Sequence, residues 1–93
     1  MKVIKTRDVE MALRTLDGDD RRKVQSWFDH LGNWESDEHL RQSTTAMTYK
    51  DTYYLNTADD MRIFFTLDEA KGEIVILDLA RPSRFKLAGA APE

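Results

Sequence analysis

Apolar side chains recur at a spacing of three and four residues through the first third of the chain, and this spacing predicts two amphipathic helices. The two apolar faces are formed by Val9, Ala12, Leu13 and Leu16, and by Val24, Trp27, Phe28 and Leu31. Thr6 is the predicted N-cap of the first helix, residues 17–20 separate the helices, and Gly32 ends the second. Two helices joined in a hairpin cannot fully bury their apolar faces against each other, so the pattern also requires a sheet on which the helices pack.

The rest of the chain has the short β-prone runs of that sheet. Predicted strands cover residues 2–5 ahead of the helices and residues 44–49, 52–57, 61–67 and 73–80 after them, with turns between them. The run at 74–77 is apolar on both faces, which is typical of a central strand, and Pro82 ends that strand. The predicted fold class is α+β, with an N-terminal strand and a two-helix hairpin packed on one face of a twisted, mainly antiparallel sheet.

Length and composition limit this fold to one small domain. With 93 residues, of which 41% are hydrophobic and 33% charged, a single core over residues 1–93 is expected, with a frayed tail over about 88–93. No apolar run approaches the roughly 20 residues that span a bilayer, no signal peptide is recognisable, and cysteine is absent. We therefore expect a cytoplasmic protein without a membrane partner.

Two segments of the chain resemble conserved blocks of the RelE/ParE toxin superfamily. Residues 53–65 (YYLNTADDMRIFF) resemble the family's Y-x-L block followed by R-I-x-F/Y, and residues 74–81 (IVILDLAR) resemble its closing strand. The helical hairpin ahead of them has the family's order and length, so the resemblance covers nearly the whole chain. It implies a RelE/ParE-like fold and the toxin of a type II toxin–antitoxin (plasmid stabilization) system, neutralised by a cognate antitoxin.

The resemblance implies three alternative functions. In the RelE branch the toxin enters the ribosome and cuts mRNA without a metal, and in the ParE branch it inhibits DNA gyrase. Other relatives have lost their activity and act only as antitoxin-binding modules. We favour the RelE branch, a ribosome-dependent endoribonuclease without a cofactor, because the strand that leads to Arg81 is closer to that branch.

Metal-free RNA cleavage requires a base for the 2′-hydroxyl, a cation for the charged phosphorane and an acid for the leaving 5′-oxygen. The resemblance assigns the cation to Arg62, whose guanidinium can hold a phosphate through two parallel hydrogen bonds. The alternative is an exposed strand arginine paired with Asp59, Asp60 or an acid on a neighbouring strand. Arg81 corresponds to the family's arginine after the last strand and is the second predicted catalytic residue.

Three further basic residues, Lys50, Arg84 and Lys86, are predicted to bind RNA. Arg84 and Lys86 lie in a segment without acidic residues, although the whole chain has a net charge of −3. Because phosphate binding depends on Lys and Arg, this local positive charge matters more for RNA binding than the net charge of the whole chain. The alternative for both is a solvated basic tail.

Two departures from the RelE pattern leave the general base unassigned. The strand at 52–56 lacks the family's lysines, and Phe85 stands where a tyrosine is expected near the C-terminus. His30 and His39 are predicted to be surface residues, because neither lies on the sheet. No spacing of metal ligands is recognisable, so no metal is expected.

Some aromatic side chains have two interpretations. Tyr53 and Tyr54 offer stacking faces for RNA bases, but aromatic residues along a strand more often pack, and we favour packing. Trp34 either forms an exposed docking point for an antitoxin helix together with Leu40, or covers the edge of the core.

Overall fold

The described part of the chain folds into three helices and five strands. The computed structural model describes residues 1–57 and 61–81. Its elements in chain order are β1 (Lys2–Lys5), α1 (Arg7–Thr15), α2 (Gly18–Leu31), α3 (Glu38–Gln42), β2 (Thr44–Ala46), β3 (Thr52–Asn56), β4 (Arg62–Asp68) and β5 (Glu73–Ala80). The strands form one sheet in the order β1-β5-β4-β3-β2, with β1 parallel to β5 and the other neighbours antiparallel. The predicted α+β fold is confirmed.

The hydrophobic core lies between the helices and one face of this sheet. Side chains alternate along a strand, so every second residue of β4, and of β5 up to Ile76, points into the core. The fully buried core side chains are Val9, Val24, Leu31, Leu55, Ile63, Phe65, Ile74 and Ile76. α1 packs against β5 and α2 against β1. We call the opposite face, which carries Tyr54, Arg62 and Phe64, the open face.

The first helix begins after its predicted cap, Thr6, and the second is capped by Asp17 in the predicted break at 17–20. The Thr6 hydroxyl accepts a hydrogen bond from the Val9 amide at 3.4 Å, and the Asp17 carboxylate accepts one from the Asp20 amide at 2.8 Å. Each cap satisfies an amide that the first helical turn leaves without a partner. α2 ends at Leu31.

A third helix between α2 and the sheet is absent from the sequence prediction. It begins at Asp37, whose carboxylate accepts a hydrogen bond from the Leu40 amide at 3.0 Å. Its five residues contribute one buried side chain, Leu40, so no apolar period marks the helix. The predicted strand at 44–49 is correspondingly shorter, because β2 ends at Ala46.

Trp34 and Leu40 belong to the core. Their exposed fractions are 7% and 4%, so the interpretation of Trp34 as the cover of the core edge is confirmed. The alternative, an exposed docking point for an antitoxin helix, is wrong, because the indole packs against the rings of Tyr53 and Phe65 at centroid distances of 5.9 and 5.7 Å.

The turn between β4 and β5 falls at the predicted position. Gly72 closes it with a φ of +66°, a conformation that glycine adopts without a steric penalty. The predicted turn at 58–60 and the tail beyond Arg81 lie outside the described residues. In the described part of the chain, no helix has the length and apolar character to cross a membrane.

Candidate functional site

The β3–β4 hairpin is closed by two buried residues on either side of positions 58–60. The Thr57 amide donates to the Met61 carbonyl at 2.8 Å, and the Met61 amide donates to the Thr57 hydroxyl at 3.3 Å. This closure fixes the register of the two strands, so Asn56 and Arg62 lie directly opposite each other. Within each strand, the residues two positions away from Asn56 and Arg62 lie on the same face of the sheet as Asn56 and Arg62.

Arg62 is held at the end of the open face by two neighbours on β3. Its Nε donates to the side-chain oxygen of Asn56 at 2.8 Å, and its guanidinium carbon lies 4.5 Å from the centroid of the Tyr54 ring. Tyr54 is in turn paired across the strands with Phe64, at a ring distance of 6.0 Å. We call these four residues, Asn56, Arg62, Tyr54 and Phe64, the open-face cluster.

The open-face cluster leaves the positive charge of Arg62 available. Asn56 is a neutral acceptor, and within residues 1–57 and 61–81 no carboxylate forms an ion pair with Arg62. The hydrogen bond through Nε orients the guanidinium, and stacking on Tyr54 contributes about 0.5–1 kcal/mol at such a surface site. The terminal nitrogens of the guanidinium form the edge that can hold a phosphate through two parallel hydrogen bonds.

The alternative of an Arg62 paired with Asp59 or Asp60 falls outside the described residues. Its other form, pairing with an acid on a neighbouring strand, does not occur among the described residues, since the residues opposite Arg62 are Asn56 and Ala80.

Arg81 occupies a different environment. Its guanidinium forms an ion pair with the carboxylate of Asp20, at the start of α2 and on the helical side of the sheet. The two side chains are 22% and 27% exposed. Ala80, the preceding residue, is the one paired with Arg62, so strand alternation directs Arg81 away from Arg62. The structure does not bring the two predicted catalytic arginines to one face.

Lys50, the predicted RNA-binding residue that the structure describes, does not lie beside Arg62. Lys50 is exposed in the turn before β3, whereas Arg62 pairs with the last residue of that strand. The five residues of β3 place roughly 17 Å between these ends. Arg84 and Lys86 lie outside the described residues, as does Phe85.

Other arginines of the chain bind backbone carbonyls. Arg21 donates to two carbonyls at the end of α1, at 3.0 and 3.1 Å. Arg41 donates to two carbonyls that follow α2, at 2.6 and 2.9 Å. Arg21 closes the end of α1 and Arg41 binds the turn between α2 and α3, so the two guanidinium groups serve the helical layer and not the open face.

Both histidines are exposed, as predicted. His30 lies on α2 with its ring centroid 5.5 Å from that of Trp27, and His39 lies on α3. Among the described residues, no three His, Asp or Glu side chains are placed so that they can hold a metal ion.

The two adjacent tyrosines lie on opposite faces of the sheet. Tyr53 packs in the core against Phe65 at 5.8 Å, which agrees with the predicted packing role. Tyr54 lies under Arg62 on the open face. The sequence interpretation overlooked Asn56 and Phe64, although strand alternation across the predicted hairpin places both on the face of Arg62.

Two solved structures have the same architecture as this chain. The crystal structure of the isolated E. coli RelE toxin matches with a TM-score of 0.69 over 86% of this chain and 82% of RelE. The chain has the RelE fold. A chain of the E. coli RelBE toxin–antitoxin complex matches with the same TM-score, over 86% of this chain and 94% of that chain.

Sequence identity to both RelE structures is 10%, so the likeness is one of fold. No protein-family model matches the sequence, and no curated protein matches it either. The RelE fold therefore places the open-face cluster on a known architecture, while the chemistry of the cluster must be argued from the residues of this chain.

Proposed function

We propose that this chain is the toxin of a type II toxin–antitoxin pair and inhibits translation as a RelE-like, ribosome-dependent mRNA endoribonuclease. Two observations support the proposal. The fold is shared with the E. coli RelE toxin, and one face of the sheet carries an oriented arginine beside two half-buried aromatic rings.

The proposal rests mainly on the environment of Arg62. Cleavage of RNA by its own 2′-hydroxyl increases the negative charge on the phosphate, and a guanidinium fixed in advance stabilises that charge without reorganising. Asn56 and Tyr54 provide this fixation without neutralising Arg62. Among the described arginines, those with contacts in the helical layer are already occupied by carbonyls or carboxylates.

Tyr54 and Phe64 favour single-stranded RNA as the ligand of this face. Both rings are half-buried, so each keeps part of its surface open to solvent beside the arginine. Unpaired bases stack on such rings, with about 1–3 kcal/mol per base, while a cation binds the backbone. An mRNA segment held single-stranded in the ribosome has this chemistry.

The remaining basic residues enter the proposal in different ways. Lys50 would meet the RNA or the ribosome at the far end of β3, and Arg84 and Lys86 would extend the positive charge beyond Arg81. Arg81 itself would have to leave Asp20 to contact a phosphate.

A cognate antitoxin is the partner that this proposal requires. One solved structure with this fold is a toxin–antitoxin complex, and a translation inhibitor needs such a partner in the cytoplasm where it is made. The proposal involves no metal and no cofactor, because the ribonuclease chemistry uses groups of the RNA and of the protein.

Expression in a sensitive bacterium tests the proposal. Wild type, Arg62→Ala and Arg14→Ala are induced, and growth is followed together with labelled-methionine incorporation. Arg14 is an exposed arginine on α1, so its loss changes the net charge equally without touching the open face. We expect wild type and Arg14→Ala to stop translation promptly, and Arg62→Ala to leave it running.

Other outcomes point to the two alternatives. A block of growth that precedes any loss of translation would contradict the ribonuclease and direct attention to DNA gyrase, with a supercoiling assay as the next step. Folded protein without any effect on growth would favour a non-catalytic, antitoxin-binding relative. The net charge of −3 and the absence of lysine at 52–56 are the observations that favour this last alternative.

A further inference from the structure

The pairing of β4 with β5 contains a β-bulge. Phe65 pairs with Ile76, but Phe64, the preceding residue of β4, pairs with Asp78. Leu77 is the extra residue, and its side chain is 37% exposed. β-Bulges occur often beside active sites, where they change the direction of a side chain.

The bulge changes the face on which Asp78 lies. Ile74 and Ile76 are buried in the core, and in a regular strand residue 78 would follow them there. A carboxylate without a partner in that position costs several kcal/mol. Because Leu77 is inserted, Leu79 packs against the core instead and Asp78 is exposed.

Asp78 thereby joins the open face beside the open-face cluster. Tyr54, Phe64 and Asp78 form a row across three strands, since Phe64 pairs with both of the others. Arg62 pairs with Ala80, two residues beyond Asp78, so Arg62 and Asp78 are diagonal neighbours at about 7–8 Å. A phosphodiester bound to the guanidinium fits within that separation.

The carboxylate of Asp78 has only a local contact among the described residues. One of its oxygens accepts a hydrogen bond from the Leu79 amide at 2.8 Å, and no cation within residues 1–57 and 61–81 forms an ion pair with it. It is therefore an oriented, exposed proton acceptor on the face where the scissile phosphate is proposed to bind.

We propose that Asp78 is the general base of this site, a role that rests on the proposed ribonuclease function. Its carboxylate takes the proton of the ribose 2′-hydroxyl as the 2′-oxygen forms a bond to phosphorus. The bond from phosphorus to the 5′-oxygen breaks, and the leaving oxygen takes a proton from solvent water. The products are a 2′,3′-cyclic phosphate and a free 5′-hydroxyl, and Asp78 returns its proton to water.

Asp78→Asn tests this assignment on ribosomes programmed with mRNA. The amide keeps an oxygen that accepts from Leu79, so the fold is retained, but it does not take a proton. General base catalysis typically contributes 10²–10⁴-fold, and we expect cleavage to slow by at least about 100-fold. Binding of a single-stranded RNA oligonucleotide should stay equal or tighten, because a negative charge is removed. Asp29→Asn, on exposed α2 surface, is the matched control and should cleave as wild type.

Cleavage by Asp78→Asn at the wild-type rate or faster would overturn the assignment, and the carboxylate would then merely repel RNA. If Asp78→Asn does not fold, Asp78→Ser keeps an acceptor for the Leu79 amide and is judged by the same two readouts. The failure of the proposed function has a different signature, since wild type itself would then leave the mRNA intact. An active wild type with an inactive Arg62→Ala and an active Asp78→Asn would refute only the base assignment.

Discussion

Arg62 and Arg81 are the two arginines that the sequence assigns to one site, and the structure gives them opposite environments. Arg62 is oriented by a neutral amide and an aromatic ring on the open face. Arg81 is neutralised by Asp20 on the helical side, where about a quarter of each side chain is exposed. A guanidinium held by a neutral acceptor keeps its charge for a ligand, whereas one paired with a carboxylate ties two elements together. The partner of an arginine therefore decides its role more than its position in a motif.

Asn56→Asp makes the environment of Arg62 like that of Arg81, and its effect on activity should be large. The carboxylate would pair with the guanidinium and repel an approaching phosphate, so we expect inhibition of translation to fall by about 100-fold, equivalent to roughly 2.7 kcal/mol. Thermal stability should stay equal or rise slightly. In vitro translation with purified protein measures the first effect and thermal unfolding the second.

Asn56→Ala is the matched control, because it removes the orienting acceptor without adding a charge and should lose less activity than Asn56→Asp. Full inhibition by the Asn56→Asp variant would show that the charge of Arg62 is not used.

Arg81→Ala should act on stability. Breaking a partly exposed ion pair between a strand and a helix costs about 1–2 kcal/mol, which lowers the midpoint of thermal unfolding by roughly 4–16 °C in a domain of this size. Asp20→Asn should have a similar effect, and the double variant should be little worse than either single one. Thermal unfolding of the four proteins measures this coupling.

An Arg81→Ala variant with wild-type stability and no inhibition of translation would contradict the structural role. It would instead support the sequence prediction that Arg81 contacts a phosphate.

Tyr54→Leu should have the smallest effect. Leucine keeps an apolar contact with Phe64 but removes the ring beneath Arg62, so the cation–π contribution of about 0.5–1 kcal/mol is lost. We expect the affinity for a single-stranded RNA oligonucleotide to fall about three- to fivefold, measured by fluorescence anisotropy. Tyr54→Phe retains the ring and should bind as wild type, and equal binding by all three proteins would remove Tyr54 from the site.

The sequence predicts most of the fold, and the reasons are local. Helix periods, caps and strand alternation depend on residues a few positions apart, so the cap at Thr6 and the strands could be predicted without knowledge of tertiary structure. The assignment of Arg62 came from the family resemblance. The short helix α3 carries one buried residue and no period, and only its cap at Asp37 marked it.

The features that the sequence could not supply are the non-local ones. Arg81 pairs with a residue 61 positions earlier in the chain, and no local pattern identifies such a partner. The bulge at Leu77 reverses the alternation in an apolar run that is compatible with either face. Regular alternation, read from the sequence alone, would place Asp78 in the core with Ile74 and Ile76.

The most direct test of the account is mRNA cleavage by purified wild type and Arg62→Ala on programmed ribosomes, with thermal unfolding of both proteins measured in parallel. The account predicts that wild type cuts the mRNA and that Arg62→Ala cuts it at least about 100-fold more slowly while its unfolding midpoint changes little. Equal cleavage by the two proteins, or an Arg62→Ala variant that does not fold, would contradict the assignment of Arg62 to a phosphate-binding site.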